Sequence, residues 1–316
     1  MKLFTGITLA LLCGAVLAQA PGEYPTKPIR IIVPLTPGSG ADIAGRIIAQ
    51  QMSEAWRQPV IVENRPGAGG QIGTAAVVKA EGDGYTLLVQ SSSHASNPAI
   101  YKSLQYDPAK DLSDVALLGK TPYVMVSTAY KDLKSLLAAA KKKPEMPFAS
   151  AGIGTSTHLA AEYLIALAGV RMLHVPFKGS PDALQDVLGG RSVFYMAPIN
   201  VATGLVKEGK LNALGVSTRR RAEVLPDVPA LAEQGLPEYD MTLWFGMWAP
   251  ASTSPELLNK LNAAVSAIAQ QPNVKEQFAK LGIQPQSMKR EEFAKFVRDE
   301  TDIYRKIVKA AGIPPQ

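Results

Sequence analysis

The chain has 316 residues, 47% hydrophobic and 19% charged, with a formal net charge of +6 and one cysteine, Cys13. Such a length and apolar content support two domains with their own cores and exclude a disordered or disulfide-stapled architecture. The mild positive charge suits a small anionic ligand or an anionic membrane surface, and no nucleic-acid partner is expected.

The first stretch, "MKLFTGITLALLCGAVLAQA", combines Lys2, an apolar run from Ile7 to Leu17 and the small residues Ala18 and Ala20. This is the pattern of a secretory signal cleaved after Ala20, so residues 1–20 are expected to be removed on export. The run is too short to span a membrane. Leu12 before Cys13 is too large for a lipoprotein signal, so the mature chain is expected to carry no cysteine and no lipid.

From residue 22 onward, short β-rich runs alternate with helical patterns, the signature of an α/β fold with parallel strands. The predicted strands are "IRIIVP", "VIVEN", "YTLLVQ", "VALLGK", "YVMVST", "PFASAG", "RMLHVP", "SVFYMA" and "NALGVST". The predicted helices cover 42–56, 135–143, 157–169, 181–190, 255–270, 272–282 and 290–312, where apolar residues recur near every 3.6 positions. Pro181, Pro255 and Pro272 mark starts; Gly169, Gly282 and Gly312 mark stops. The last ninety residues are mostly helical, so the chain is expected to return and cover its first half. "VPLTPGSGAD" and "VPFKGSPDAL" echo one another, which is weak support for a duplication.

Two loops carry the chemical interest. "TPGSGAD" (36–42) and "SAGIGTSTH" (150–158) each run from a strand through glycines into a helix, where free N–H groups and the helix dipole favour an anion. Their hydroxyls either add donors or cap the helices. The spacing is wrong for a dinucleotide loop, and no phosphate-loop lysine motif is present. There is no G-x-S-x-G elbow, and His94, His158 and His174 lack zinc-ligand spacing, so neither a hydrolase nor a metal site is expected. His158, in the first helical turn, fits a neutral hydrogen-bonding or packing role. Asp42 is favoured by its own helix dipole whether or not it touches ligand. A small carboxylate held mainly by backbone dipoles remains.

Six segments in order, "YPTKPIRIIVPLTPGSGADIAGRIIAQQM", "VIVENRPGAGGQIGTAAVVKAEGDGYTLLV", "SSSHASNPAIY", "ASAGIGTSTHLAAE", "HVPFKGSPDALQDVLGG" and "LGVSTRRRAEVLPDVPALAEQGLPEYD", resemble the Bug family. These are the TctC-like extracytoplasmic receptors of tripartite tricarboxylate transporters. The resemblance implies a periplasmic, non-enzymatic, two-lobed α/β binding protein of the type II flytrap kind. Each lobe would be a mixed, mostly parallel sheet flanked by helices, with a two-strand hinge and no cofactor. Lobe one would hold residues 22–125 and 219–316, and lobe two residues 126–218. The monomeric receptor would deliver its ligand to one large and one small membrane subunit; a sensor presenting its closed form to a membrane histidine kinase is the alternative.

Carried onto this chain, the family's carboxylate loops are Thr36, Pro37, Gly38, Ser39, Gly40, Ala41 and Asp42, with Ser150, Gly152, Gly154, Thr155, Ser156, Thr157 and His158. Ser92, His94 and Asn97, Phe177 and Lys178 would line the cleft walls. Trp244 is either core or cleft. Where many family members carry an acidic "FDN"-like stretch, this chain has Ala197 and Pro198, which disfavours a ligand amine. A dicarboxylate, or an aromatic acid packing on Phe177, Tyr195 or Trp244, is the expected ligand.

Overall fold

The computed structural model describes residues 23–315 and builds them as alternating strands and helices. The expected signal, 1–20, lies outside the described residues. The first half runs β1 (Ile29–Val33), α1 (Gly40–Trp56), β2 (Val60–Asn64), α2 (Gln71–Val78), β3 (Thr86–Ser91), α3 (Ser93–Ile100) and β4 (Leu112–Ser127). There follow α4 (Leu133–Lys142), β5 (Met146–Ser150), α5 (Ser156–Leu167), β6 (Met172–Pro176), α6 (Ser180–Leu188), β7 (Phe194–Pro198), α7 (Ile199–Lys207) and β8 (Asn212–Val216). The chain ends with β9 (Thr242–Pro250), α8 (Pro255–Ala269), α9 (Pro272–Lys280), β10 (Gln284–Pro285) and α10 (Arg290–Ala310).

The strands form one path, β2-β1-β3-β9-β4-β7-β5-β6, with β10 and β8 also paired to β4. Parallel strands sit at both ends: β1 with β2 and β3, and β5 with β6 and β7. Antiparallel β9 and β4 join them. The two predicted strands "VALLGK" and "YVMVST" are therefore one sixteen-residue strand. Only Thr121 and Pro122 lie between the two predicted runs, and the strand continues through both. A Cβ on Gly119 would lie 2.7 Å from Ile283 Cγ2, so glycine admits the segment entering β10.

β4 is the spine that both lobes share. Its pairing with β9 ends at Pro122↔Thr242, and its pairing with β7 begins at Tyr123↔Pro198. Proline, which cannot donate to a ladder, stands at the handover. The return crossing lies beside it. Ser217 Oγ accepts from Tyr123 N–H (2.8 Å) and donates to Met241 O (2.6 Å), while Met241 N–H donates to Ser217 O (2.9 Å). Leu225 and Ala230 pack with Ala183, Val187 and Ile199 of the second lobe. Within segment 219–241, residues around Leu225 and Ala230 therefore pack with that lobe, while Leu231, Leu236, Tyr239 and Met241 join the larger core.

The expected helices are all present, with Pro181, Pro255 and Pro272 in their first turns. Helices α2, α3 and α7 were not expected, nor was β9. α3 is short and carries Pro98 internally, and β9 is buried on both faces, which removes the polar alternation that marks a strand. α10 lays Phe293 and Phe296 against Trp244 of β9, covering the first lobe.

Candidate functional site

Where the two lobes meet, the carboxyl ends of β1, β3, β5, β6 and β7 each feed a helix, and five helix N-termini converge. Gly40 and Ala41 of α1, Ser93 of α3, Ser156 and Thr157 of α5, Ser180 of α6 and Pro198, which caps α7, all line one cavity. Leu243 and Phe245 of β9 complete its floor. No ionisable side chain lines it. The field inside is thus set by helix dipoles and by N–H and hydroxyl donors, an arrangement selective for a small anion. The cavity measures about 20 Å³, room for one water molecule.

The first predicted loop divides. Gly40 and Ala41 face the cavity. Ser39 caps α1 by position only: its Oγ is buried without a partner, as is Thr36 Oγ1. Pro37 and Gly38 are exposed at the rim. Asp42 is committed to the protein, accepting from Gly38 N–H (2.8 Å), Asn64 Nδ2 (2.9 Å) and Arg46 Nε (3.0 Å). Burial pushes its carboxyl up, but these donors and the Arg46 charge outweigh it and hold the group below the usual carboxylate range.

The second loop divides likewise. Thr155, Ser156 and Thr157 face the cavity. Ser150 lies behind it, sharing a 2.6 Å hydrogen bond with His174 Nε2. His158 is buried, stacked on His174 at 3.8 Å, with Nδ1 accepting from Gly154 N–H (3.4 Å) and Nε2 3.5 Å from the Glu162 carboxylate. It shapes the loop from inside. Gly154 has φ +78°, and a side chain there would collide with the Tyr101 ring, so both backbone and space demand glycine. Gly152 packs against Phe177 O.

The six expected wall residues all stand outside this lining. His94 is on the far side of α3, stacked on Trp248 at 4.0 Å, because its neighbours Ser93 and Ser96 take the face toward the second lobe. Ser92 lies at the hinge, its Oγ 3.4 Å from Tyr123 Oη. Lys178 is exposed on the surface. Trp244 is core: it alternates with Leu243 and Phe245 along β9, so it points toward α10, where its Nε1 donates to Glu300 (2.8 Å). Asn97 and Phe177 line no part of the cavity; Asn97 donates to Gly69 O, and Phe177 is half-buried in the second lobe's core.

Sequence reasoning missed Ser91, Ser93, Ser180, Leu243 and Phe245. The strand-to-helix passages at Ser91 to Ser93 and Gly179 to Ser180 carry the same signal as the two recognised loops, whereas Phe245 becomes visible only once β9 is known.

The lobes are bonded shut around the cavity. Ser156 N–H donates to Ser93 Oγ (3.1 Å), Ser96 Oγ to Gly154 O (2.8 Å), Tyr101 Oη to Ile153 O (2.8 Å) and Asn200 Nδ2 to Gly40 O (3.3 Å). Gly179 packs so closely on Thr36 Oγ1 that a Cβ there would overlap it. Among the described residues no group of three His, Cys, Asp or Glu could hold a metal ion.

Residues 44–313 match the family described as "Tripartite tricarboxylate transporter family receptor". Protein BugT of Bordetella pertussis is 35% identical over 295 residues, covering 92% of this chain and 90% of BugT. An R. palustris protein solved with adipate is 28% identical with a TM-score of 0.90, covering 93% of this chain and 100% of that one. MatC from Rhodopseudomonas palustris, solved with bound malate, is 31% identical with a TM-score of 0.86 over 90% of this chain and 100% of its own.

Proposed function

The chain belongs to the tripartite tricarboxylate transporter receptor family, and from that premise we propose that it captures a small dicarboxylate between its lobes in the periplasm. It then hands the ligand to the large and small membrane subunits of a tripartite transporter. The family is one of solute-binding receptors, not of enzymes.

The observation that carries this reading is the convergence of five helix N-termini on a cavity with no ionisable side chain. Dipoles and donors there favour a carboxylate, and no acid is present to receive an amine. Pro198 lines the cavity, so the missing acid is a property of the site itself. Of the aromatics expected to cushion an aromatic acid, Trp244 is engaged elsewhere, with Glu300, and Tyr195 is fully buried behind the cavity, its hydroxyl donating to Ser180 Oγ at 2.9 Å. The relatives with adipate and malate are both dicarboxylate complexes. We place the lobe boundary at Pro122–Tyr123 and at Met241.

Thermal-shift and calorimetric titration with malate, adipate, benzoate and aspartate test this reading. Stabilisation by malate or adipate, abolished in Gly154→Val with the fold retained, is expected. Stabilisation by aspartate alone, or dicarboxylate affinity unchanged in Gly154→Val, would overturn it.

A further inference from the structure

A second, larger cavity of about 360 Å³ lies on the outer side of the first lobe, between α3, the segment entering β4, and α10. Its size falls in the range of small-molecule pockets. His94 is part of its wall; the ring is 3% exposed, and Nδ1 has no hydrogen-bond partner.

The charges are arranged by wall. On the β4 side stand Asp107 and Asp114, and on the α10 side Arg298, Asp302 and Arg305, with Val297 between. Asp107 is engaged by Lys110 (3.1 Å) and Arg305 by Asp302 (2.9 Å). This leaves one acid and one base. Asp114 accepts from Trp248 Nε1 at 2.8 Å but has no ion pair within 4 Å, and Arg298 likewise has none among the described residues. Burial raises the Asp114 carboxyl above its usual range, and the hydrogen bond from Trp248 and the charges of Arg298 and Arg290 only partly offset it. A cationic group beside it would relieve that cost.

We propose that this cavity is a second ligand site, for a small zwitterion of the α-amino-acid class. The ammonium meets Asp114 and the carboxylate meets Arg298. A plain anion would leave Asp114 without a partner and a plain cation would leave Arg298 without one; a ligand carrying both charges answers both. α3 carries His94 on this side and the Ser93 and Ser96 bonds to the second lobe on the other, so an occupant touches the helix that closes the central cavity.

The test is titration of the full chain with L-valine and L-glutamine, followed by calorimetry and by the fluorescence of Trp248 under His94. Saturable binding is expected, weakened at least about tenfold in Arg298→Ala and in Asp114→Asn, and unchanged in Gly154→Val. Isobutylamine and 3-methylbutanoate, each carrying half of the charge pair of valine, should bind at least about tenfold more weakly. Melting temperatures confirm that the variants fold; Arg298 is exposed and free to change. Absence of saturable binding by either amino acid up to about 10 mM, undiminished affinity in Arg298→Ala, or loss in Gly154→Val would each overturn the proposal.

Discussion

At the level of single residues, buried His94 and half-buried His174 carry a pH dependence whose sign is fixed. Burial pushes His94 down to about 3; burial and then the neighbouring His158 push His174 to about 3 as well. Both folded values lie below the unfolded value of about 6.5, so the unfolded chain binds more protons between these limits. The stabilising contribution is complete above about pH 6.5 and is lost progressively as pH falls toward 3. Unfolding of the wild type at pH 5 should therefore take up about one more proton than unfolding of His94→Gln. Calorimetry in buffers of different ionisation enthalpy measures this directly, and equal uptake would mean that His94 is accessible in the folded state. His94 was legible in the sequence as a conspicuous residue beside the cleft loops, but its direction was not. One step along α3 from Ser93 turns it away from the cavity, and a helix that short, with proline inside, gave no periodicity from which to read a face.

At the level of elements, strand-to-helix passages were the most readable part of the chain. Proline and glycine punctuate them, and the residues that line the cavity cluster at their helical side, Gly40 and Ala41 in one loop and Thr155 to Thr157 in the other. The long antiparallel pair β4 and β9 was hidden for opposite reasons: β4 contains turn-like "GKTP", and β9 is apolar on both faces. Missing β9 is what left Trp244 ambiguous and Phe245 unnoticed. α3 was missed too, yet it supplies much of the closure. Ser96 Oγ and Tyr101 Oη, at its end, each donate 2.8 Å bonds to carbonyls of the second lobe's anion loop. At about 1 kcal/mol net per bond, Ser96→Ala with Tyr101→Phe should cost about 2 kcal/mol of closure. Ligand affinity should fall about thirtyfold, mostly through faster release. Stopped-flow dissociation and calorimetry with the dicarboxylate that stabilises the wild type check this; an unchanged release rate would assign the bonds to packing alone.

At the level of the whole molecule, the interlobe cavity and its bonds pose a geometric constraint. About 20 Å³ holds a water molecule and no dicarboxylate, so the lobes must part before any ligand enters. With the lobe boundary proposed above, the axis would pass through Pro122–Tyr123 and the bonds that join Tyr123, Ser217 and Met241. In such a two-state molecule the ligand favours closure only by contacts made to both lobes, and on the function proposed above α1 from one and α5 from the other would supply them. A covalent latch at the rim separates opening from all other motion. A Cβ at Gly38 would lie 3.5 Å from Pro181 Cγ, across the lobes, and the described residues contain no cysteine to compete. That proximity of the two side-chain positions makes Gly38→Cys with Pro181→Cys the pair to test for a disulfide in this conformation. Gly38 has φ +79°, so the substitution strains the loop slightly, and the reduced double variant serves as its own control. The oxidised protein should fail to take up malate or adipate, and reduction should restore uptake. Loading at the same rate in both redox states would show that the ligand reaches its site without the hinge, and the flytrap mechanism would fall with that result.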